Sequence, residues 1–194
     1  MPGGSGSGSN PSAQDPFVCS RCARTGPTCC RLLPGQEEFC FPVSLEEKAR
    51  IREVAADKGG FELQANSEAF LQHVARLFPG EEAEVRALFH PRKEHIRLAV
   101  DADGACRFLG ASGCRLPREV RPYYCRLFPF WVAEGGVTAF DSPTCLARQE
   151  SVSIRRLLAA LGARASEVKD LYGRLRLLWG LPPAKGLKPV KKGF

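Results

Sequence analysis

No apolar run in the 194-residue sequence approaches the ~20 residues needed to cross a bilayer, since Arg or Gly interrupts the longest candidates. Membrane insertion is therefore not expected. The first ten residues, MPGGSGSGSN, lack both the basic start and the apolar stretch of a secretory signal, which predicts a cytoplasmic protein. Basic residues are nowhere interleaved with aromatics in a continuous run, so nucleic acid is not an expected partner. Four of the +7 formal charges come from Lys185, Lys188, Lys191 and Lys192, in a final stretch without acidic residues, and the rest of the chain is only mildly basic.

The chain also lacks a Gly-rich phosphate loop, a dinucleotide fingerprint and the paired histidines of a helical zinc protease. Its three histidines are His73, His90 and His95. None is close to a cysteine in sequence, and each reads as an ordinary surface or hydrogen-bonded side chain. Asp101 and Asp103 in the segment DADG resemble part of a calcium loop, but the later ligands are missing and a turn accounts for them.

What the sequence does have is cysteine, nine of them. In a reducing compartment they are not expected to pair as disulfides, and an odd number fits a fully paired framework poorly. Metal ligation is the natural alternative. A hydrophobic content of 44% is enough for one globular domain with its own core. We expect that domain over residues 17–182, between a flexible leader at 1–16 and a basic flexible tail at 183–194.

Residues 17–40 show turn residues and cysteines without sustained periodicity, which predicts a loop wrapped around a metal. Ser44 and Glu47 have capping-box spacing and open a predicted helix over 44–59, stopped by Gly59-Gly60. Further helices are predicted at 67–78 and 81–89. Ile96, Leu98 and Val100 alternate with smaller or polar neighbours, and the turn at 101–104 would return the chain through 106–109 as a hairpin. A second hairpin is predicted from 130–133 and 137–140, with a short helix near 118–126 between the two hairpins. Two packing helices, 151–161 and 166–178, close the chain. The resulting class is α+β: a small antiparallel β region with flanking helices and cysteine-rich metal-binding loops.

Cys19 and Cys22 have the two-residue gap that lets two sulfurs reach one ion. Cys29 and Cys30 follow as an adjacent pair, and Cys106, Cys114, Cys125 and Cys145 each lie beside turn residues, Pro or Gly. An isolated free cysteine ordinarily packs as a small hydrophobe, but clustering of eight with this spacing is what thiolate sites require. Consecutive side chains in extended backbone point apart, so Cys29 and Cys30 either serve two centres, bridge ions, or divide between ligation and packing. Eight ligands accommodate two four-cysteine sites or one polynuclear cluster. Cys40, between Phe39 and Phe41 just before a helix, is expected in the core. Arg115, Arg118, Arg121 and Arg126 surround Cys114 and Cys125 in sequence and are candidates to offset thiolate charge.

The residues Cys19-Ser-Arg-Cys22, Cys29-Cys30, Cys106-Arg-Phe-Leu109, Gly113-Cys114-Arg-Leu116, Val120-Arg-Pro122, Cys125-Arg126 with Phe128-Pro129, and Cys145-Leu-Ala-Arg148 resemble the YkgJ-type cysteine-cluster proteins. These are also called the CxxCxxCC family of zinc- or iron-chelating domains. The resemblance implies an iron-sulfur cluster or iron, alternatively zinc, held by Cys19, Cys22, Cys29, Cys30, Cys106, Cys114, Cys125 and Cys145. The gap from Cys22 to Cys29 is longer than the family's usual two or three residues, and Cys40 has no counterpart. Flagellin lysine N-methylases look like they carry a similar cluster, so redox or methyl-transfer catalysis is one alternative. A zinc-stapled structural or interaction module is another. The sequence points to no particular protein partner.

Overall fold

The computed structural model describes residues 17–26, 28–33, 35–36, 40–55, 60–187 and 190. The expected leader lies outside them. The class is α+β: among the described residues, eight α-helices accompany three separate two-stranded antiparallel sheets. No helix among these residues is long and apolar enough to cross a membrane.

Helix α1, Phe17–Thr25, occupies ground where the sequence predicted a loop. Its buried stripe is Val18 and Cys22, one turn apart. The periodicity is hard to see in sequence because cysteine supplies half of it. Gly26, at φ +46°, closes the helix and donates its N–H to the Cys22 carbonyl at 2.9 Å.

Helix α2, Leu45–Val54, begins as predicted, with the Ser44 side chain accepting from the Glu47 N–H and the Glu47 carboxylate accepting from the Ser44 N–H at 2.8 Å. The predicted stop at Gly59 lies outside the described residues. Glu47 is only 1% exposed. Its other carboxylate oxygen accepts the N–H of Tyr123 at 2.7 Å, satisfying one of the unpaired donors that open helix α5, Tyr123–Leu127. One buried acid thus ties two helix starts together.

Strand β1, Phe61–Ala65, pairs antiparallel with β2, Glu94–Leu98. The sequence reading paired the second of these with 106–109 instead. Of that hairpin there remain a bridge, Val100 to Cys106, a bond from the Arg107 N–H to the Ala99 carbonyl at 3.0 Å, and the turn bond from the Asp101 N–H to the Ala105 carbonyl at 2.8 Å. Strand β1 competes better because its five-residue register also joins Glu62 to Arg97 in an ion pair of 2.7 Å. Between these strands lie α3, Glu68–Ala75, and α4, Glu82–Leu88.

Short strands β3, Leu109–Gly110, and β4, Gly113–Cys114, form the second sheet. The predicted helix near 118–126 is split at Pro122 into a 3-10 turn, Arg118–Val120, and α5. Strands β5, Phe130–Ala133, and β6, Gly136–Ala139, make the expected hairpin. Glu134 at φ +50° and Gly135 at φ +73° give its two-residue turn the left-handed backbone that matches strand twist. Helices α6, Leu146–Gln149, α7, Ile154–Ala160, and α8, Ala165–Trp179, complete the order.

Two hydrophobic clusters result. The larger joins Phe70, Leu71, Phe78, Leu127, Trp131 and the buried face of α8, where Val168, Leu171, Tyr172, Leu175 and Trp179 recur at helical spacing. The smaller contains Val43, Ile51, Leu98, Phe108, Leu116 and Val120. Ala184 and Leu187 pack against the larger one, so the start of the expected tail contributes to it.

Candidate metal centre

Backbone pairing brings distant cysteines onto neighbouring tracks. The Cys106 N–H donates to the Cys30 carbonyl at 2.8 Å, and one step away Arg31 bridges to Ala105 and the Leu32 N–H donates to the Gly104 carbonyl at 2.9 Å. Gly104 has φ +78°, and a Cβ there would stand 1.9 Å from the Leu32 carbonyl oxygen. Only glycine permits this approach. On the other side the Leu109 N–H donates to the Cys106 carbonyl at 2.7 Å, and Leu109 faces Cys114 in register. Arg121 donates to the carbonyls of Leu116 at 2.9 Å and Cys114 at 3.3 Å, which ties the segment leading into α5 and Cys125 to β4.

Helix α1 packs against both β4 and α6. Its Cys22 thiol donates to the Thr144 carbonyl at 3.8 Å, beside Cys145 at the N-cap of α6. The outer end of this contact is held by a bidentate pair from Arg21 to Glu150, at 2.9 and 2.6 Å.

All nine cysteines line a single cavity of about 410 Å³. It lies where the two clusters meet, with Val18 and Ala147 of the larger on its wall beside Val43, Leu98, Phe108 and Leu116 of the smaller. The eight expected ligands, Cys19, Cys22, Cys29, Cys30, Cys106, Cys114, Cys125 and Cys145, are thus brought to one place from widely separated segments. No disulfide joins any of the nine cysteines. Among the described residues no three His, Cys, Asp or Glu side chains converge as ligands of one ion. A tetrahedral thiolate site, with bonds of about 2.3 Å, would draw four sulfurs to roughly 4 Å of one another, so the cavity is wider than a single ion fills.

Burial raises the pKa of several of the lining thiols. Burial pushes the Cys106 thiol up to about 12, against its neighbouring Phe108 amide and with added repulsion from Cys30, Cys114 and Cys40. Cys125 is driven well above its ordinary value, first by burial and then by Cys30, Cys106, Cys114 and Cys40. Its side chain opens onto the cavity, which gives it accessible surface although protein encloses it. Burial also raises Cys145, with Cys22 adding and the Arg148 and Ala147 amides opposing. The donors therefore fall into an inner set around Cys106 and Cys125 and a pair, Cys22 and Cys145, at the α1–α6 contact. A cation that ligates Cys106, Cys125 or Cys145 must displace its proton.

Of the four arginines expected near the thiols, Arg121 lines the cavity. The others are directed elsewhere: Arg115 to the Arg107 carbonyl, Arg118 to the Leu161 carbonyl and Glu167, and Arg126 to the Glu119 carbonyl. Sequence proximity did not decide this because η-turn and helix geometry point successive side chains to different sides.

Two cavity residues were not anticipated. Cys40, expected in the core, is half-buried and lines the cavity. His73, distant from every cysteine in sequence, reaches the wall from α3, its ring 5.4 Å from that of Phe41, which stacks on Tyr124 at 3.3 Å. Burial lowers the His73 pKa, followed by Arg76 nearby, so its imidazole is neutral at neutral pH. Its helical register with the buried Phe70 and Val74 was the available signal.

No protein family model matches the chain, and no curated protein or solved structure is similar enough to count as a match.

Proposed function

We propose that this chain is a cytoplasmic metal-binding protein of the YkgJ type, holding an iron-sulfur cluster, or else iron or zinc, through cysteine thiolates. The observation that carries this reading is that every cysteine in the sequence lines one cavity. Packing alone would scatter small apolar side chains through both cores. An iron-sulfur centre stands ahead of zinc because the donor set is nine thiols against one imidazole, and because the cavity exceeds the space of a single tetrahedral ion.

Anaerobic purification followed by iron, zinc and acid-labile sulfide analysis tests the proposal. Bound iron with sulfide and visible charge-transfer absorption is the expected result. A colourless protein with neither iron nor zinc would refute it.

A zinc-stapled module is the second reading, favoured by the position of the cavity between the two hydrophobic clusters. Metal there would cross-link α1 and the 28–33 segment to β4 and α5. Tightly held, redox-inert zinc whose chelation melts the domain would select it over the first.

A further inference from the structure

Cys40 does not behave as a packing residue. Its thiol donates to the Leu98 carbonyl at 3.9 Å, at the end of β2, and two residues later Pro42 bridges to Arg97, so the segment runs along the free edge of that strand. Val100, two residues beyond Leu98, bridges to Cys106, whose N–H is bonded to the Cys30 carbonyl. The Arg97–Val100 end of β2 therefore meets both the Cys40 and the Cys106 segments, Cys30 lies on the track beside Cys106, and all three cysteines line the one cavity. The electrostatic neighbours agree, since Cys40 acts on both Cys106 and Cys125.

Cys40 also has a cation at hand. Burial raises the Cys40 pKa, and Arg97, only 5% exposed and paired with Glu62 at 2.7 Å, acts against that rise.

We propose that Cys40 is a thiolate ligand in the same group as Cys30, Cys106, Cys114 and Cys125, so that the inner part of the cavity takes a thiolate cluster of more than one metal ion. Five thiols exceed the four that a single tetrahedral ion accepts. The inference rests on the metal-binding reading, adds a ligand to it, and selects its polynuclear form over a single iron or zinc ion.

The test uses the whole chain, metal-free and loaded anaerobically with Cd²⁺, alkylated over time and mapped by peptide mass spectrometry. In the loaded protein Cys40 should alkylate at least ~10-fold more slowly than in the metal-free one, in step with Cys30, Cys106, Cys114 and Cys125. More than one Cd²⁺ should be retained by this group, and Cys40→Ser should release Cd²⁺ to a chelator at least ~10-fold faster than wild type. Labelling of Cys40 at the same rate in both states, while the other four are protected, would overturn its role and leave the metal-binding reading standing. A single retained ion with full protection of those four would overturn the nuclearity. If no Cd²⁺ binds and no thiol is protected, the metal-binding reading itself falls. Because the labelling is read on wild-type protein, it does not depend on the variant folding.

Discussion

The α8 side of the molecule and the cysteine side are held together by different physics. Around α8, aromatic and branched side chains fill space, with Phe78, Trp131, Tyr172 and Trp179 in mutual ring contact. Arg176, a charged group sunk among them at 2% exposure, is satisfied by Glu81 at 2.6 Å and by the Pro182 carbonyl. The cysteine side has a six-residue apolar cluster, short strands and an open cavity. Apolar burial stabilises the first region outright, while the second is left with buried thiols that gain most from a cation. On the proposed reading, the second region leaves part of its stability to the bound metal.

Removal of metal should break the comparison most strongly. Thiolate-bound metal contributes folding free energy of order 10 kcal/mol, so chelation should strip hydrogen-exchange protection from β3, β4 and the 28–33 segment. Helix α8 and strand β5 should keep theirs. Simultaneous loss in both regions would show one cooperative unit instead of two.

The reverse experiment is Arg176→Met. It leaves Glu81 without its partner and should cost about 3 kcal/mol in denaturant unfolding, with metal content per chain unchanged. A matching loss of metal would mean the α8 side also shapes the site.

A smaller effect is expected at the seam itself. Gly104→Ala forces a side chain into left-handed backbone and against the Leu32 carbonyl, at a cost of about 1–3 kcal/mol. Here stability and metal retention should fall together, because the Cys30 and Cys106 tracks separate. Unaltered retention by chelator competition would show that this pairing is not needed by the site.

The gentlest probe is pH. Burial, then the Arg97 charge, depresses His95 from 6.5 to about 4. Its ring stacks on Phe70 at 3.9 Å, and Nδ1 shares a hydrogen bond of 2.8 Å with Asn66. Between those two values the unfolded chain binds more protons than the folded one. Stability from His95 is therefore present above 6.5 and is lost as pH falls towards 4. His95→Gln should flatten that part of the stability–pH curve in metal-free protein. An unchanged slope would assign the acid sensitivity to other groups.

Local signals in the sequence were legible where the physics is local. The Ser44–Glu47 cap, the hairpin of 130–133 with 137–140 and the apolar face of α8 depend on residues a few positions apart, and each is found, the second hairpin strand one residue earlier than read. The partner of β2 was not legible, because Phe61, Leu63 and Ala65 alternate as well as residues 106–109 and only long-range packing chooses between them. Helix α1 was hidden because cysteine was read as a ligand and not also as a helix's buried stripe.

By itself the sequence determined the number of thiols, their spacing at Cys19–Cys22 and Cys29–Cys30, and the absence of rival motifs, all of which follow from residue identity alone. Which thiols stand together was decided by tertiary structure. Cys40 and His73 reach the same wall as Cys106 and Cys125, while three of the four neighbouring arginines turn away. The reason is that side-chain direction is set by strand register, helix phase and the backbone bonds between distant segments, none of which is carried by proximity along the chain.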